Sequence, residues 1–441
     1  MKEQQTANPP AIGLLTAIAI VVANTIGTGV FTSLGFQTVD IKSGFSLLFL
    51  WFVGGIFALC GALCYGELGA AMPRSGGEYH FLSKIYHPAI GFLSGWVSIT
   101  VGFAAPIAAA AMAFGQYSSS ILSFIEPKAI APIVVILISL IHMRNVKVGS
   151  YFQDSLTLLK VLLIVALIVC GFLLATPQEI GFLPSGEDLP LIFSAPFAIS
   201  LVYVTYSYSG WNASIYLASE VKQPEKNIPR SLLLGTIIVM VLYLLLNFIF
   251  LYSTPIDKLA GELEVGAIAA AAIFGESGGK LMSFLIAFGL ISSISSMVWA
   301  GPRVTQAIGE DISFFQPLAK KNSSGIPHYA ILLQLGIVLV LTITSTFEAV
   351  IAFLGFTLTL SSFLTVLGVF VSRIKYPDIP RPYKTWGYPI TPLIFLGISL
   401  WILVFLFMGK PQESLAGLAI IGLGFPLYLF ASKKKRFSSD Y

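Results

Sequence analysis

The chain has 441 residues, of which 56% are hydrophobic and only 10% are charged. Soluble domains average about 25% charged residues, so the composition excludes a soluble protein and predicts an all-α polytopic membrane protein. The formal net charge of +4 reflects basic loops and does not indicate nucleic acid as a partner.

Twelve apolar segments approach or exceed the roughly 20 residues that a helix needs to cross a bilayer. In chain order they span 13–38, 45–70, 90–123, 129–142, 152–175, 193–219, 230–252, 279–305, 328–346, 349–371, 389–408 and 412–430. The fourth segment is short, and no long linker separates any of them. The sequence therefore predicts a single membrane domain over residues 1–441, with twelve transmembrane helices.

The basic residues of the loops indicate the orientation, because Lys and Arg are enriched in short loops on the cytoplasmic side. If the N-terminus faces the cytoplasm, 19 of the 25 Lys and Arg residues lie in cytoplasmic loops and tails and 5 lie outside. We therefore expect both termini to be cytoplasmic and the chain to reside in the plasma membrane, or in the inner membrane if the source is bacterial. All three cysteines fall in predicted helices, so we expect no disulfide-linked partner subunit.

Helices 1 and 6 each contain an unusual stretch at mid-span. Helix 1 carries TIGTGVF at 25–31, and helix 6 carries TYSYSGWNAS at 205–214. Glycine weakens a helix by about 1 kcal/mol relative to alanine, so both stretches indicate an interrupted helix, although small residues also serve close helix packing. The two helices are five apart and run in opposite directions, as in an inverted repeat. The repeats would cover about 13–175 and 193–371, followed by two helices over about 389–430.

An interrupted helix exposes main-chain groups in mid-membrane, where they are tolerated only beside a cavity or inside the protein. The new helix ends carry about half a charge each, which suits the two charges of an amino acid. We expect the carboxylate at the N–H groups after Gly27 and Thr28, and the ammonium at the carbonyls near Thr25 and from Tyr206 to Ser209. Neither stretch contains a charged residue, so the sequence favours a neutral amino acid.

Lys160 is the only Lys or Arg predicted deep inside a helix. If helix 5 begins near Tyr151, Lys160 lies roughly 13 Å along it at 1.5 Å per residue, where a lysine costs about 2.5–3.5 kcal/mol. Its ammonium could reach the inner surface. Alternatively, it could bind carbonyls of the interrupted helix 1, near serine hydroxyls of helix 8, where a sodium ion could otherwise sit. A buried lysine also releases its proton more readily, so proton coupling stays open.

Four motifs together resemble those of the amino acid–polyamine–organocation (APC) permeases, most closely the L-type amino acid transporter branch. They are NTIGTGVF (24–31), ELGAAMPRSGGEYHFL (67–82), QDSLTLLK (153–160) and YSYSGWNASIYLASEVKQPEKNIPRSL (206–232). The second half of the chain matches mainly by its number of helices. The resemblance implies a LeuT-like fold, in which helices 1–5 and 6–10 are inverted repeats and helices 11–12 follow. It also implies alternating access to an amino acid site at the midplane.

Carried over by position, the resemblance implies a set of substrate-binding residues from helices 1 and 6. They are Thr25, Ile26, Gly27, Thr28 and Gly29 from helix 1, and Tyr206, Ser207, Ser209 and Gly210 from helix 6. The resemblance further implies that Tyr206 gates the site and that Lys160 stands in for sodium, which makes transport sodium-independent. Two departures, Asn24 in place of a small residue and Ser209 in place of a glycine, would narrow or polarise the site. The loop SFIEPKAI (123–130) lacks the cysteine that joins eukaryotic members to a heavy subunit, so we expect no such partner.

The leading hypothesis is therefore a secondary transporter of neutral L-amino acids that is not an enzyme and uses no cofactor or metal. The nearest branch favours exchange, and proton-coupled symport is the alternative. Two other classes are a passive channel, for which no ring of charges or carbonyls is visible, and an amino acid sensor, for which no soluble output domain is visible.

Overall fold

The computed structural model describes residues 12–119, 124–144, 146–323 and 325–433, with the backbone alone at 146–157 and 432–433. In these ranges the chain is helical, and its one piece of β pairing is an isolated parallel bridge between Ile12 and Val221. The predicted end of helix 3 at 120–123 and the basic residues Lys2, Lys434, Lys435 and Arg436 lie outside the described residues.

The first half of the chain forms ten helices, a one-turn π-helical segment at Ser98–Gly102 and a 3-10 segment at Ala213–Glu220. The helices are α1 Leu14–Thr25, α2 Gly29–Asp40, α3 Gly44–Ala71, α4 Glu78–Ile85, α5 Pro88–Val97, α6 Ala104–Ser118, α7 Pro127–Arg144, α8 Val146–Leu174, α9 Asp188–Ile192 and α10 Ala195–Ser207.

The second half contains eight further helices. They are α11 Pro224–Ser253, α12 Ile256–Leu259, α13 Val265–Asp311, α14 Gln316–Ala319, α15 His328–Thr344, α16 Phe347–Lys375, α17 Ile390–Gly409 and α18 Pro411–Lys433.

Nine helical segments of the described chain are long and apolar enough to cross a membrane, when α1 with α2 and α5 with α6 each count as one segment. Three shorter apolar helices, Leu158–Leu174, Ala195–Ser207 and His328–Thr344, accompany them. The chain is therefore an all-helical polytopic membrane protein. The short fourth segment predicted at 129–142 is a helix of 18 residues, α7.

Both predicted interruptions are present as breaks in the helices. α1 ends at Thr25 and α2 begins at Gly29, while α10 ends at Ser207 and the 3-10 segment begins at Ala213. We call residues 26–28 the first break and residues 208–212 the second break.

The structure has two features that hydropathy did not indicate. α13 consists of two helical stretches joined at Gly275, which turns the chain with a φ of 79°. The second stretch follows Gly275, close to the start predicted at 279, and an additional stretch from Val265 precedes it. A positive φ is accessible to glycine without strain, so the kink falls at this residue. Predicted helix 3 contains the π-helical segment, a widened turn that often occurs at functional sites.

Packing places both breaks inside the protein. α11 lies along α1 and α3, and the ring of its Tyr243 lies 5.6 Å from that of Trp51 and 5.0 Å from that of Tyr208. α13 packs against α6 and α8. The breaks are therefore surrounded by helices and contact protein groups.

Candidate functional site

The first break leaves the helix immediately after Thr25. Ile26 has φ −73° and ψ 89°, which is not helical, and Thr28 returns to helical angles just before α2. Side chains compete for the last carbonyls of α1, since Asn24 Nδ2 donates to the Ile20 oxygen at 2.8 Å and Thr25 Oγ1 to the Val21 oxygen at 2.7 Å. Gly27 adds a flexible residue at the break, so the local sequence ends one helix and starts another.

The second break depends on a glycine conformation. Gly210 has a φ of +108°, which a residue with a side chain rarely adopts. A Cβ at Gly210 would lie 2.6 Å from the Asn24 carbonyl oxygen and 3.0 Å from the Thr25 nitrogen. A Cβ at Gly29 would similarly lie 2.6 Å from the Ser207 Cα. The two breaks therefore touch main chain to main chain, and only glycine fits at these contacts.

Tyr243 of α11 joins the two breaks. Its hydroxyl oxygen lies 2.7 Å from the Thr25 carbonyl oxygen and 3.0 Å from the Ser207 carbonyl oxygen. A phenolic hydroxyl has one hydrogen to donate, so the two carbonyls share it. One buried side chain thus fixes the end of α1 relative to the end of α10.

Lys160 holds the first break from the other side. It is 2% exposed, and its Nζ donates to the Ile26 oxygen at 2.8 Å, the Ala23 oxygen at 3.3 Å and Ser293 Oγ at 3.1 Å. Among the serines of α13, Ser293 is the one bonded to the ammonium. The lysine therefore faces the helix bundle and does not reach the inner surface.

The two breaks leave main-chain groups available. The first N–H groups of a helix have no partner within it, and the amides of Thr28, Gly29 and Val30 have no acceptor in the described part of the chain. On the acceptor side, the carbonyls of Asn24 and Thr205 receive no hydrogen bond from described residues. The Thr25 carbonyl, expected to be free, is occupied by Tyr243.

A cavity of about 140 Å³ lies beside the breaks. Asn24, Thr205, Tyr206, Ser209 and Gly210 line it at the breaks. The π-helical segment and the start of α6 line it as well, through Ser98, Gly102, Phe103 and Pro106. The widened turn in helix 3 thus forms part of the cavity wall.

The predicted site residues divide into two groups in the structure. Tyr206, Ser209 and Gly210 line the cavity. Thr25, Ile26, Gly27, Thr28, Gly29 and Ser207 lie in the contact between the breaks and are not part of the cavity wall. Whether each residue binds substrate stays a prediction.

Aromatic side chains close one end of the site. The Tyr206 hydroxyl hydrogen-bonds to Thr28 Oγ1, and its ring stands edge-on to Phe347 at 6.5 Å. Phe36 stacks between Tyr203 at 5.2 Å and Phe347 at 5.7 Å. Tyr206 therefore lies between the cavity and this aromatic stack.

Two charged side chains also line the cavity, and the sequence did not place them there. Glu78 accepts hydrogen bonds from Tyr65, Asn212 and Tyr216, and Arg303 lies 4.5 Å over the ring of Trp299. The sequence signal for Arg303 was a lone cation near the end of an apolar helix. Glu78 gave no such signal, because it follows a glycine pair in a loop.

The region around Glu78 also contains a buried histidine. His80 in α4 is 8% exposed. The pKa of His80 is lowered to about 4. Burial is the main cause; the positive charges of Arg74 and Lys84 add to it, and the negative charge of Asp311 opposes it. His80 is therefore neutral at pH 7.

Comparison with known proteins agrees with this architecture. A family model described as "Amino acid permease" matches residues 12–425. The chain is 30% identical over 433 residues to the serine/threonine exchanger SteT of Bacillus subtilis (strain 168), a match that covers 96% of this chain and 97% of that protein.

Two mammalian proteins are similar over nearly the same range. The large neutral amino acids transporter small subunit 2 of Mus musculus is 28% identical over 439 residues, covering 95% of this chain and 80% of that protein. The b(0,+)-type amino acid transporter 1 of Mus musculus is 27% identical over 415 residues, covering 91% and 83%.

Proposed function

Because the chain belongs to the amino acid permease family of the APC superfamily, close to the L-type transporter branch, we propose that it transports neutral L-amino acids across the membrane. The observation that carries this proposal is the pair of helix breaks beside one cavity, with free N–H groups at and after the end of the first break and free carbonyls at Asn24 before the first break and at Thr205 before the second. Main-chain dipoles of opposite sign recognise the part that all amino acids share, without a charged side chain.

The substrate carboxylate binds the amides of Thr28, Gly29 and Val30 at the N-terminus of α2, as anions do at helix N-termini. The ammonium binds the carbonyls of Asn24 and Thr205, since Tyr243 already occupies the Thr25 carbonyl. The substrate side chain then enters the cavity beside Ser209 and Gly210.

A neutral substrate fits the charges of the cavity wall. The charged lining residues among the described positions are Glu78 and Arg303, one of each sign. Because these two charges cancel, the wall as a whole compensates neither an acidic nor a basic substrate side chain, and burying an unpaired ion is costly.

The proposed architecture has twelve spans, which are the nine long helical segments and the three shorter apolar helices. It is LeuT-like, with inverted repeats at about 13–175 and 193–371 and the two breaks in equivalent positions. Both termini are cytoplasmic by the distribution of Lys and Arg, in the plasma membrane or a bacterial inner membrane.

Tyr206 acts as a gate between the cavity and the aromatic stack of Phe36, Tyr203 and Phe347. Lys160 makes transport independent of sodium, because its ammonium already binds the carbonyl oxygens that an ion would need. Both roles are supported by the contacts of these side chains and come from the family resemblance.

Exchange by alternating access is the proposed mode, and the name of the Bacillus subtilis relative, an exchanger, supports it. The similar mouse protein is named a small subunit. For this chain we propose function without a disulfide-linked heavy subunit, because the predicted outer loop at 123–130 has no cysteine.

Purified protein in liposomes tests the function. A thermal-shift screen against the twenty amino acids first identifies the ligand, because a ligand stabilises the state that it binds. We then expect uptake of that labelled amino acid only into liposomes preloaded with unlabelled substrate, with or without sodium. Uptake driven by a pH gradient into empty liposomes would replace exchange with proton symport. Single-channel currents would indicate a channel, and binding without flux a sensor.

Gly27 offers a matched pair of variants for the site. A Cβ at Gly27 would have the Thr25 oxygen, at 3.9 Å, as its nearest neighbour, so Gly27→Ala should fold normally. Gly27→Leu should abolish the ligand-induced thermal shift, because its side chain fills the space proposed for the carboxylate. An unchanged shift in Gly27→Leu would place the substrate elsewhere.

A further inference from the structure

The cavity wall contains two charged groups that the helix breaks do not account for. Glu78 of α4 and Arg303 of α13 both line the cavity, together with Asn24 of α1, Tyr206 of α10 and Ser209 of the second break. Ionisable groups within a membrane protein are costly and usually lie along a substrate pathway. We therefore asked what each of the two charges binds.

Glu78 is held in place by neutral groups. It is 6% exposed, and it accepts hydrogen bonds from the Tyr65 hydroxyl at 3.1 Å, Asn212 Nδ2 at 2.8 Å and the Tyr216 hydroxyl at 2.7 Å. These donors belong to α3, the second break and the 3-10 segment. They fix the position of the carboxylate but leave its negative charge without a cationic partner among the described residues.

Arg303 has no hydrogen-bond acceptor and no ion pair in the described part of the chain. Its guanidinium stacks 4.5 Å over the ring of Trp299. The exposed side chain of Glu220 attracts the charge of Arg303 without forming an ion pair with it. Stacking on one face leaves the N–H groups at the rim of the guanidinium available, and those groups suit a carboxylate.

The position of Arg303 separates it from the first break. Ser293 contacts the break through Ile26 and Lys160, and Arg303 follows ten residues later on the same helix, about 15 Å away at 1.5 Å per residue. Arg303 therefore lies too far along α13 to hold a substrate bound at the break.

We propose that Arg303 and Glu78 form a second, transient docking position for the zwitterionic amino acid between the breaks and the cytoplasm, where Arg303 binds its carboxylate and Glu78 its ammonium. This inference rests on the proposed function. It also explains why two unpaired charges of opposite sign share one cavity wall, since a dipolar substrate compensates both in passing.

Membrane vesicles of the two orientations test the proposal. Arg303→Gln should raise the half-saturating concentration for substrate at the cytoplasmic face by about tenfold, the effect of losing one hydrogen bond between charged groups. The value at the outer face should change less than twofold. Arg230→Gln, an exposed arginine on α11, is the matched control and should change neither value.

Substrate analogues separate docking from a structural effect. The decarboxylated amine of the substrate, which lacks the carboxylate, should inhibit from the cytoplasmic face equally in wild type and Arg303→Gln. The matching hydroxy acid, which lacks the ammonium, should inhibit equally in wild type and Glu78→Gln. Arg303→Lys, which keeps the positive charge, should recover most of the cytoplasmic affinity.

Three results would overturn the inference. The first is an unchanged half-saturating concentration at the cytoplasmic face in both Arg303→Gln and Glu78→Gln. The second is an equal increase in this concentration at the two faces, which would indicate a disturbed central site. A wild-type protein without any amino acid flux would overturn the proposed function and this inference with it. If the wild-type flux is normal in either of the first two cases, the proposed function stands and only the docking position is rejected.

Discussion

Lys160→Met tests how the first break is held. Methionine keeps the apolar stem of lysine but removes the ammonium that binds the oxygens of Ile26 at 2.8 Å and Ala23 at 3.3 Å and the hydroxyl of Ser293 at 3.1 Å. A hydrogen bond to a charged group contributes about 1.5–3 kcal/mol, and about 1.4 kcal/mol corresponds to a factor of ten. Loss of the shortest bond alone should therefore lower the uptake rate by about 10- to 150-fold.

Stability should respond differently from transport in this variant. Removal of a buried cation also removes the cost of its desolvation, so we expect the melting temperature of Lys160→Met to be unchanged or raised. Initial uptake into liposomes and the melting temperature are measured on one preparation, with the exposed Lys128→Met as the control. Wild-type uptake in Lys160→Met would refute the role of the lysine. Lost uptake with a lowered melting temperature would show that Lys160 only stabilises the fold.

Three further variants test other parts of the structure. Tyr243→Phe leaves the two carbonyls without a donor, and an unsatisfied buried group costs about 1–3 kcal/mol. Uptake should therefore fall at least fivefold. The control Tyr252→Phe, on the same helix, should match wild type. Gly210→Ala adds a Cβ 2.6 Å from a carbonyl oxygen at a φ of +108° and should prevent recovery of folded protein by size-exclusion chromatography, unlike Gly397→Ala, whose Cβ would meet nothing within 4 Å. The pKa of His80, about 4, lies below the usual 6.5, so the unfolded chain binds more protons between these values. The contribution of neutral His80 to the free energy of unfolding is therefore fully present above pH 6.5. It is lost as the pH falls toward 4, by up to about 3 kcal/mol. The melting temperature of His80→Gln should therefore depend less on pH in this window, and an equal slope in both proteins would contradict the assignment.

Much of the fold could be predicted because hydropathy and glycine act locally. Gly27 and Gly29 around Thr28 indicated the first break, and the structure interrupts the helix at those residues. Hydropathy predicted a helix start near 279 but did not indicate the helical stretch that runs from Val265 to the kink at Gly275. It could not detect the π-helical segment either, since an extra residue in one turn leaves the composition of the helix unchanged.

The site was less predictable because its contacts join residues far apart in the sequence. Tyr243 lies 218 residues from Thr25, and nothing in the surrounding apolar sequence marks it as the residue that bonds both breaks. Glu78 is 138 residues from Tyr216, so its burial depends on how the 3-10 segment packs against α4. Lys160 was found because a charge within an apolar helix is visible without knowledge of its partner.

The shared hydroxyl of Tyr243 has a consequence for how the two breaks move. One hydrogen serves the carbonyls of Thr25 and Ser207, so any displacement of α1 relative to α10 lengthens one bond unless α11 follows. A buried carbonyl left without a donor costs about 1–3 kcal/mol, comparable to the coupling energies between sites in allosteric proteins. Substrate that binds one break therefore affects the other through Tyr243, whereas Lys160 contacts the first break alone. The neutral hydrogen bonds of Tyr243 connect the two breaks, and the charged hydrogen bonds of Lys160 hold only the first. This arrangement suits a site in which both breaks move together.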